Sequence, residues 1–104
     1  MKSSPRGSLG KGVVRKKIVI RNKHGLHVRP AALFVRLANK FDAEVIVRRG
    51  REKANGKSIT SLMMLGCEKG SEVEVVAKGR DAERAVKELS ELLDQESIES
   101  EKKE

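Results

Sequence analysis

Both histidines of the chain lie in one short segment, NKHGLHVRPAA, at residues 22–32. A neutral imidazole is a nucleophile and a guanidinium binds phosphate, so this composition favours phosphoryl chemistry. Pro30 lacks an amide hydrogen and suits the first turn of a helix, which predicts that His27 is the N-cap residue. The open amides of that turn, with Arg29 beside them, would form an anion site. The segment therefore predicts a phosphohistidine at His27.

The alternative for His27 is an ordinary surface residue near a turn, which is the more common role for an isolated histidine. The neighbouring Gly25, Arg29 and Pro30 favour the phosphate site instead. His24 precedes Gly25 in a predicted loop, has no predicted partner, and receives no role.

The elements that must position this segment alternate between two periodicities. Short segments of alternating apolar residues predict strands, and apolar stripes at helical spacing predict helices. The predicted strands cover residues 17–21, 43–48, 52–55 and 72–78, and the predicted helices cover 28–39, 59–65 and a segment capped by Asp81. Because each element has one apolar face, we expect an α+β fold of order β-α-β-β-α-β-α. It would be an open-faced sandwich, with a four-stranded antiparallel sheet and three helices on one side.

The length of 104 residues indicates one small domain. We expect a flexible basic leader at 1–14, the domain at 15–94 and a polar tail at 95–104. A single cysteine, Cys67, excludes an intramolecular disulfide, and the ligands for a metal cage are too few, so no metal or cofactor is expected. Neither a signal peptide nor a membrane span is apparent, which favours a cytoplasmic protein without membrane insertion.

The net charge of +8 is unevenly distributed along the chain. Residues 1–17 carry six basic groups and no acid, whereas residues 81–104 carry nine acidic and four basic groups. Proteins that bind single-stranded nucleic acid usually combine basic residues with stacking aromatics, and the two aromatics, Phe34 and Phe41, occupy predicted core positions. This pattern argues against a nucleic-acid partner, although a basic binding module is kept as a third alternative.

The second predicted helix begins after Ser58, which is a suitable N-cap, and ends at Gly66. Five of its residues are apolar, more than one buried face can hold, so some are expected to be exposed as a docking surface. The alternative is that nearly all of them are core. A phosphate on Ser58 would be stabilised at the helix N-terminus and would add about two negative charges beside that surface. The five apolar residues are Ile59, Leu62, Met63, Met64 and Leu65.

Two motifs in this order resemble those of the HPr family, the histidine-containing phosphocarriers of the bacterial phosphoenolpyruvate-dependent phosphotransferase system. They are GLHVRPAA at residues 25–32 and NGKSI at 55–59, followed by LMMLG at 62–66. The resemblance implies the same open-faced fold and extends from about Lys16 to Leu93. It also implies a carrier within a transferase system rather than a free-standing enzyme.

The resemblance further implies roles for individual residues. His27 would be phosphorylated at Nδ1 by enzyme I and would pass the phosphoryl group to enzyme IIA domains, with Arg29 stabilising the phosphate. Ser58 would be the regulatory site for an HPr kinase/phosphorylase, and the docking surface would comprise Ile59, Thr60, Met63 and Met64. The protein is expected to be a monomer.

Some features depart from the family pattern. The leader is long, the segment 48–53 is unusually basic, and Thr60 replaces a larger apolar residue. The segment FDAEV at 41–45 is also similar to the nitrogen-related branch of the family. A mainly regulatory protein therefore remains the alternative to a sugar-transport carrier.

Overall fold

The computed structural model describes residues 12–95, and most of the predicted leader and tail lies outside this range. The predicted order of elements is confirmed. The strands are β1 (Val13–Val19), β2 (Glu44–Arg49), β3 (Glu52–Asn55) and β4 (Glu72–Lys78), and the helices are α1 (Val28–Ala38), α2 (Ile59–Met64) and α3 (Ala82–Leu93).

The four strands form one antiparallel sheet in the order β1-β4-β2-β3. The first strand therefore lies beside the last one, with Val13 opposite Lys78 and Val19 opposite Glu72. The three helices cover one face of this sheet, and the other face is open. The predicted open-faced α+β fold is confirmed.

The core lies between the sheet and the helices. Alternate residues of β2 and β4 are buried, as the period-two pattern requires when only one face of a sheet is covered. The apolar stripes of the helices meet them, and Phe34 of α1, Leu62 of α2 and Leu89 of α3 are fully buried. This packing fixes the ends of α1 and α2, where the candidate site lies.

The start of β1 differs from the prediction. The strand begins at Val13 rather than residue 17, so Val13 and Val14 belong to the sheet and not to the predicted leader. It also ends at Val19 rather than at residue 21. Three consecutive basic residues, 15–17, are exposed on this edge strand, and they conceal the apolar alternation that would have marked it. Pairing with β4 defines the strand instead.

Asp81 also acts differently from the prediction. It precedes α3, but its side chain makes no capping hydrogen bond to that helix. Its two carboxylate oxygens instead accept hydrogen bonds from the backbone amides of Asp42 and Ala43, each at 2.9 Å. The bond from the Asp42 amide is the main reason that the pKa of Asp81 is lowered from its ordinary value. The side chain thus ties α3 to the loop between α1 and β2.

Lys57 also contacts the loop between α1 and β2. Its Nζ donates a hydrogen bond of 2.8 Å to the carbonyl oxygen of Phe41. The residue immediately before Ser58 is therefore anchored to the loop that follows α1.

Candidate functional site

The segment that precedes α1 is held by short hydrogen bonds. Gly25 has a φ of +70°, and a Cβ built there would lie 2.4 Å from the carbonyl oxygen of Cys67, so only glycine fits without a shift. The buried side chain of Asn22 donates to the Gly25 carbonyl at 2.8 Å. The Leu26 amide donates to the Cys67 carbonyl at 2.9 Å. These bonds fix the backbone on which both histidines are carried.

His27 occupies the N-cap position of α1, as predicted, with φ −90° and ψ −170°. Its side chain makes no capping hydrogen bond, while its carbonyl accepts from the Ala31 amide at 3.0 Å. The amides of Val28 and Arg29, the first two helical residues, have no acceptor within the helix. The half-buried imidazole therefore lies at a helix end with open donors and no acidic residue in its first turn.

The two nitrogens of His27 are not equivalent. Nε2 is buried and has no hydrogen-bond partner among the described residues. Nδ1 is not among the buried atoms without a partner.

His24 lies directly beside His27, which the sequence analysis did not predict. The ring centroids are 5.6 Å apart and the ring planes are nearly perpendicular, at 87°. The sequence feature that indicates this pairing is Gly25. A glycine with positive φ can reverse the chain and bring the residues on either side of it together. The structure thus pairs the two imidazoles at the start of α1.

Arg29 lies exposed on the first turn of α1, two residues after His27. The neighbouring Val28 is an apolar residue that is 58 % exposed. Within residues 12–95, no three histidine, cysteine or carboxylate side chains are grouped so that they could hold a metal ion.

Ser58 is the N-cap residue of α2, and this prediction is confirmed. Its hydroxyl oxygen accepts a hydrogen bond from the Ser61 amide at 3.1 Å. The side chain remains partly exposed.

Some of the apolar residues in α2 and at its C-terminal end are buried, and the others are exposed. Leu62 and Leu65 are buried, whereas Ile59, Met63 and Met64 are exposed, Met64 at 79 %. Thr60 is also exposed. The expectation that some of these side chains are exposed is confirmed, and their role in docking stays a prediction.

The C-terminal end of α2 is the end nearer to the histidines. Cys67, which accepts the Leu26 amide, follows this helix by three residues. Arg49 fixes the same end, because its Nη1 donates to the Leu65 carbonyl at 2.9 Å. Ser58 lies at the other end of α2. The candidate phosphorylation site and the candidate regulatory site are thus joined by one short helix.

Residues 14–95 match the family model described as the PTS HPr component phosphorylation site. The chain belongs to the HPr family. This match covers nearly all of the described residues and confirms the family resemblance that the two motifs indicate. HPr proteins are phosphocarriers of the phosphotransferase system.

This chain matches individual relatives over almost the whole of their length. The phosphocarrier protein HPr of Vibrio cholerae is 42% identical over 77% of this chain and 94% of its own. A crystal structure of HPr from Thermoanaerobacter tengcongensis is 45% identical, covers 77% of this chain and 90% of its own, and has a TM-score of 0.74. Crh of Bacillus subtilis, a catabolite repression protein crystallised as a swapped dimer, is 40% identical, covers 83% of this chain and 99% of its own, and has a TM-score of 0.66.

No helix among residues 12–95 is both long enough and apolar enough to span a bilayer.

Proposed function

We propose that His27 accepts a phosphoryl group from phosphorylated enzyme I and passes it to enzyme IIA domains. The observation that supports this proposal is the position of the imidazole at the N-terminus of α1, beside the open amides of Val28 and Arg29. These donors and the helix dipole stabilise the negative charge that the phosphoryl group brings. Arg29 is exposed on the same turn and adds a permanent positive charge.

The transfer itself is a nucleophilic substitution at phosphorus. The lone pair of Nδ1 forms a bond to phosphorus, the bond from phosphorus to the donor breaks, and its electron pair returns to the donor. The buried Nε2 supports Nδ1 as the reacting atom. Transfer to the next carrier is the same step in reverse, with the ring of His27 as the leaving group, and it requires no cofactor.

The exposed side chains of α2 are proposed to dock both partners. Ile59, Met63 and Met64 are exposed apolar residues on an element whose C-terminal end lies next to the segment that carries His27. Thr60 completes the surface. The flexible, polarisable methionines suit a surface that must fit two different proteins in turn.

Incubation with enzyme I and phosphoenolpyruvate tests the carrier proposal. We expect a single phosphate on His27, stable in base and labile in acid, that is transferred when an enzyme IIA domain is added. The His27→Ala variant should acquire none, with its fold checked by circular dichroism. Peptide mass spectrometry identifies the modified residue, and undiminished labelling of the folded variant would refute the proposal.

A second role, regulation through Ser58, is supported by the partly exposed hydroxyl at the start of α2 and by similarity to Crh. An HPr kinase/phosphorylase would add the phosphate, and its charge would lie next to the exposed Ile59. Ser58→Asp should weaken binding to enzyme I, whereas Ser58→Asn should not, because both residues cap a helix and only one is charged. Equal affinities measured by calorimetry would contradict a charge-based mechanism.

The protein is proposed to act as a cytoplasmic monomer. The alternative is a dimer like that of Crh, in which segments are exchanged between two chains. Light scattering after gel filtration distinguishes the two states, and a mass of twice 11.5 kDa would replace the monomer.

A further inference from the structure

The open face of the sheet has no part in the function proposed above, yet a row of charged side chains crosses it. Lys17 of β1 lies opposite Glu74 of β4, which in turn lies opposite Arg48 of β2. Arg48 lies opposite Lys53 of β3. In each strand an adjacent residue is buried in the core, so these four side chains project to the open side. We call this set of four residues the basic row.

The positive charges of the basic row are poorly balanced. Glu74 is its single carboxylate, and Oε1 of this residue lies 3.6 Å from Nη1 of Arg48. Lys17 and Lys53 are exposed and make no ion pair with any of residues 12–95. Arg48 and Lys53 are like charges directly opposite each other on neighbouring strands, an arrangement that destabilises a sheet. An anion bound to this face would relieve the repulsion.

An apolar strip adjoins the basic row. Ile46 and Val76 lie opposite each other two residues further along their strands, and both are partly buried. A groove of about 400 Å³ is lined in part by Lys17, Arg48 and Glu74. Nε of Arg48 is buried and has no hydrogen-bond partner among the described residues. The open face therefore combines unpaired positive charge, apolar surface and a groove.

We propose that this face binds an acidic segment of a partner protein, in which carboxylate residues alternate with apolar ones. The carboxylates would pair with Lys17, Arg48 and Lys53, because basic side chains form charge-assisted hydrogen bonds with such groups. The apolar side chains would cover Ile46 and Val76. This inference does not depend on the carrier function, since the helices cover the opposite face of the sheet.

The composition of the open face favours a protein over a nucleic acid. Within the described part of the chain the face has no aromatic side chain, because Phe34 and Phe41 are both buried in the core. Proteins that bind single strands usually rely on aromatic stacking. Glu44, Glu72 and Glu74 also lie on this face and would repel a continuous phosphate backbone. A peptide can instead place its carboxylates only beside the cations.

Binding of a designed peptide to the full chain tests the proposal. The probe is a short fluorescein-labelled peptide in which glutamate alternates with valine or serine, and a matched peptide carries glutamine in place of every glutamate. Fluorescence anisotropy at low ionic strength should show binding of the glutamate peptide only. The double variant Lys17→Gln/Lys53→Gln should bind it about fivefold more weakly, through loss of two exposed ion pairs.

A second double variant, Arg36→Gln/Lys40→Gln, is the matched control. It removes the same charge from exposed positions at the C-terminal end of α1, on the helical side of the molecule. Its affinity for the glutamate peptide should remain close to that of the wild type. In NMR spectra of the wild type, the peptide should shift the amide signals of the strands that carry the basic row.

The stability of the free protein provides an independent measurement. Lys53→Gln should raise the urea concentration at the midpoint of unfolding, because it removes the repulsion with Arg48. The increase should shrink at high salt, where this repulsion is screened. A lysine that served only the fold would instead destabilise the protein when it is replaced, and that result would overturn the argument from repulsion.

Four other outcomes would overturn the proposal. Equal weakening in the two double variants would show only non-specific attraction, and NMR shifts confined to residues 1–11 would place the peptide outside the sheet. Tighter binding of a deoxythymidine oligonucleotide than of the glutamate peptide would make a nucleic acid the occupant. A dimer in light scattering that is lost in Lys17→Gln/Lys53→Gln would make the occupant a second copy of this chain.

Discussion

Substitution of Gly25 by alanine should disturb both the fold and the proposed phosphorylation site. Alanine at a φ of +70° costs about 1–2 kcal/mol in backbone strain. The added Cβ would also lie 2.4 Å from the Cys67 carbonyl oxygen and 2.8 Å from the Cα of Glu68, both backbone atoms. Relief of this overlap requires the two segments to separate, which breaks the bond from the buried Leu26 amide to Cys67. An unpaired buried amide adds about 1–3 kcal/mol, so the total loss should be about 2–5 kcal/mol.

Gly50 provides a matched control for the strain alone. Its φ is +61°, and a Cβ built there meets nothing within 4 Å. Gly50→Ala should therefore cost only about 1–2 kcal/mol. Urea unfolding followed by circular dichroism gives both free energies, and enzyme I assays should show slower phosphorylation for Gly25→Ala only. Equal losses of stability and equal rates in the two variants would refute the assigned role of the contact with Cys67.

Three further substitutions test contacts elsewhere in the fold. Asp81→Ala should destabilise the protein at neutral pH, because two backbone amides lose their acceptor. Since the pKa of Asp81 is lowered in the folded state, its contribution is complete above its ordinary value of 3.8 and is lost as the pH falls through the folded pKa, so the difference in unfolding free energy from wild type should shrink in acid. Phe34→Ala should cost about 3–5 kcal/mol in urea unfolding, because this ring is fully buried. Ser58→Ala should cost about 1 kcal/mol through loss of the α2 cap, measured in the same way, and a cost near zero would show that the cap does not contribute.

The order of the elements could be predicted from the sequence because each helix and most strands carry a clear apolar period. The predicted start of β1 is wrong by four residues. An exposed edge strand can carry consecutive basic residues, whereas a strand with one buried face would alternate between apolar and polar residues. At Ser58 the N-cap was predicted correctly, since capping is a local property of the chain. The partner of Asp81 could not be predicted, because the amides of Asp42 and Ala43 come from a distant loop.

The candidate site shows the same division between local and tertiary information. The position of His27 at the N-terminus of a helix follows from Pro30, three residues later. The proximity of His24 depends on the φ of Gly25 and on the contact of this glycine with Cys67, neither of which has a periodic signature. The burial of Nε2 likewise depends on packing that no local pattern encodes.

The pairing of β1 with β4 has a consequence for the order in which the protein can be assembled. Val13 pairs with Lys78, so β1 has no partner strand until most of the chain has left the ribosome. The turn that carries both imidazoles depends on Cys67, which is also made late. A nascent chain that already contains His27 therefore lacks the finished turn, and we expect phosphorylation competence to arise only after β4 has been synthesised, in one step with folding. Such long-range pairing also favours slow folding relative to helical proteins of the same size.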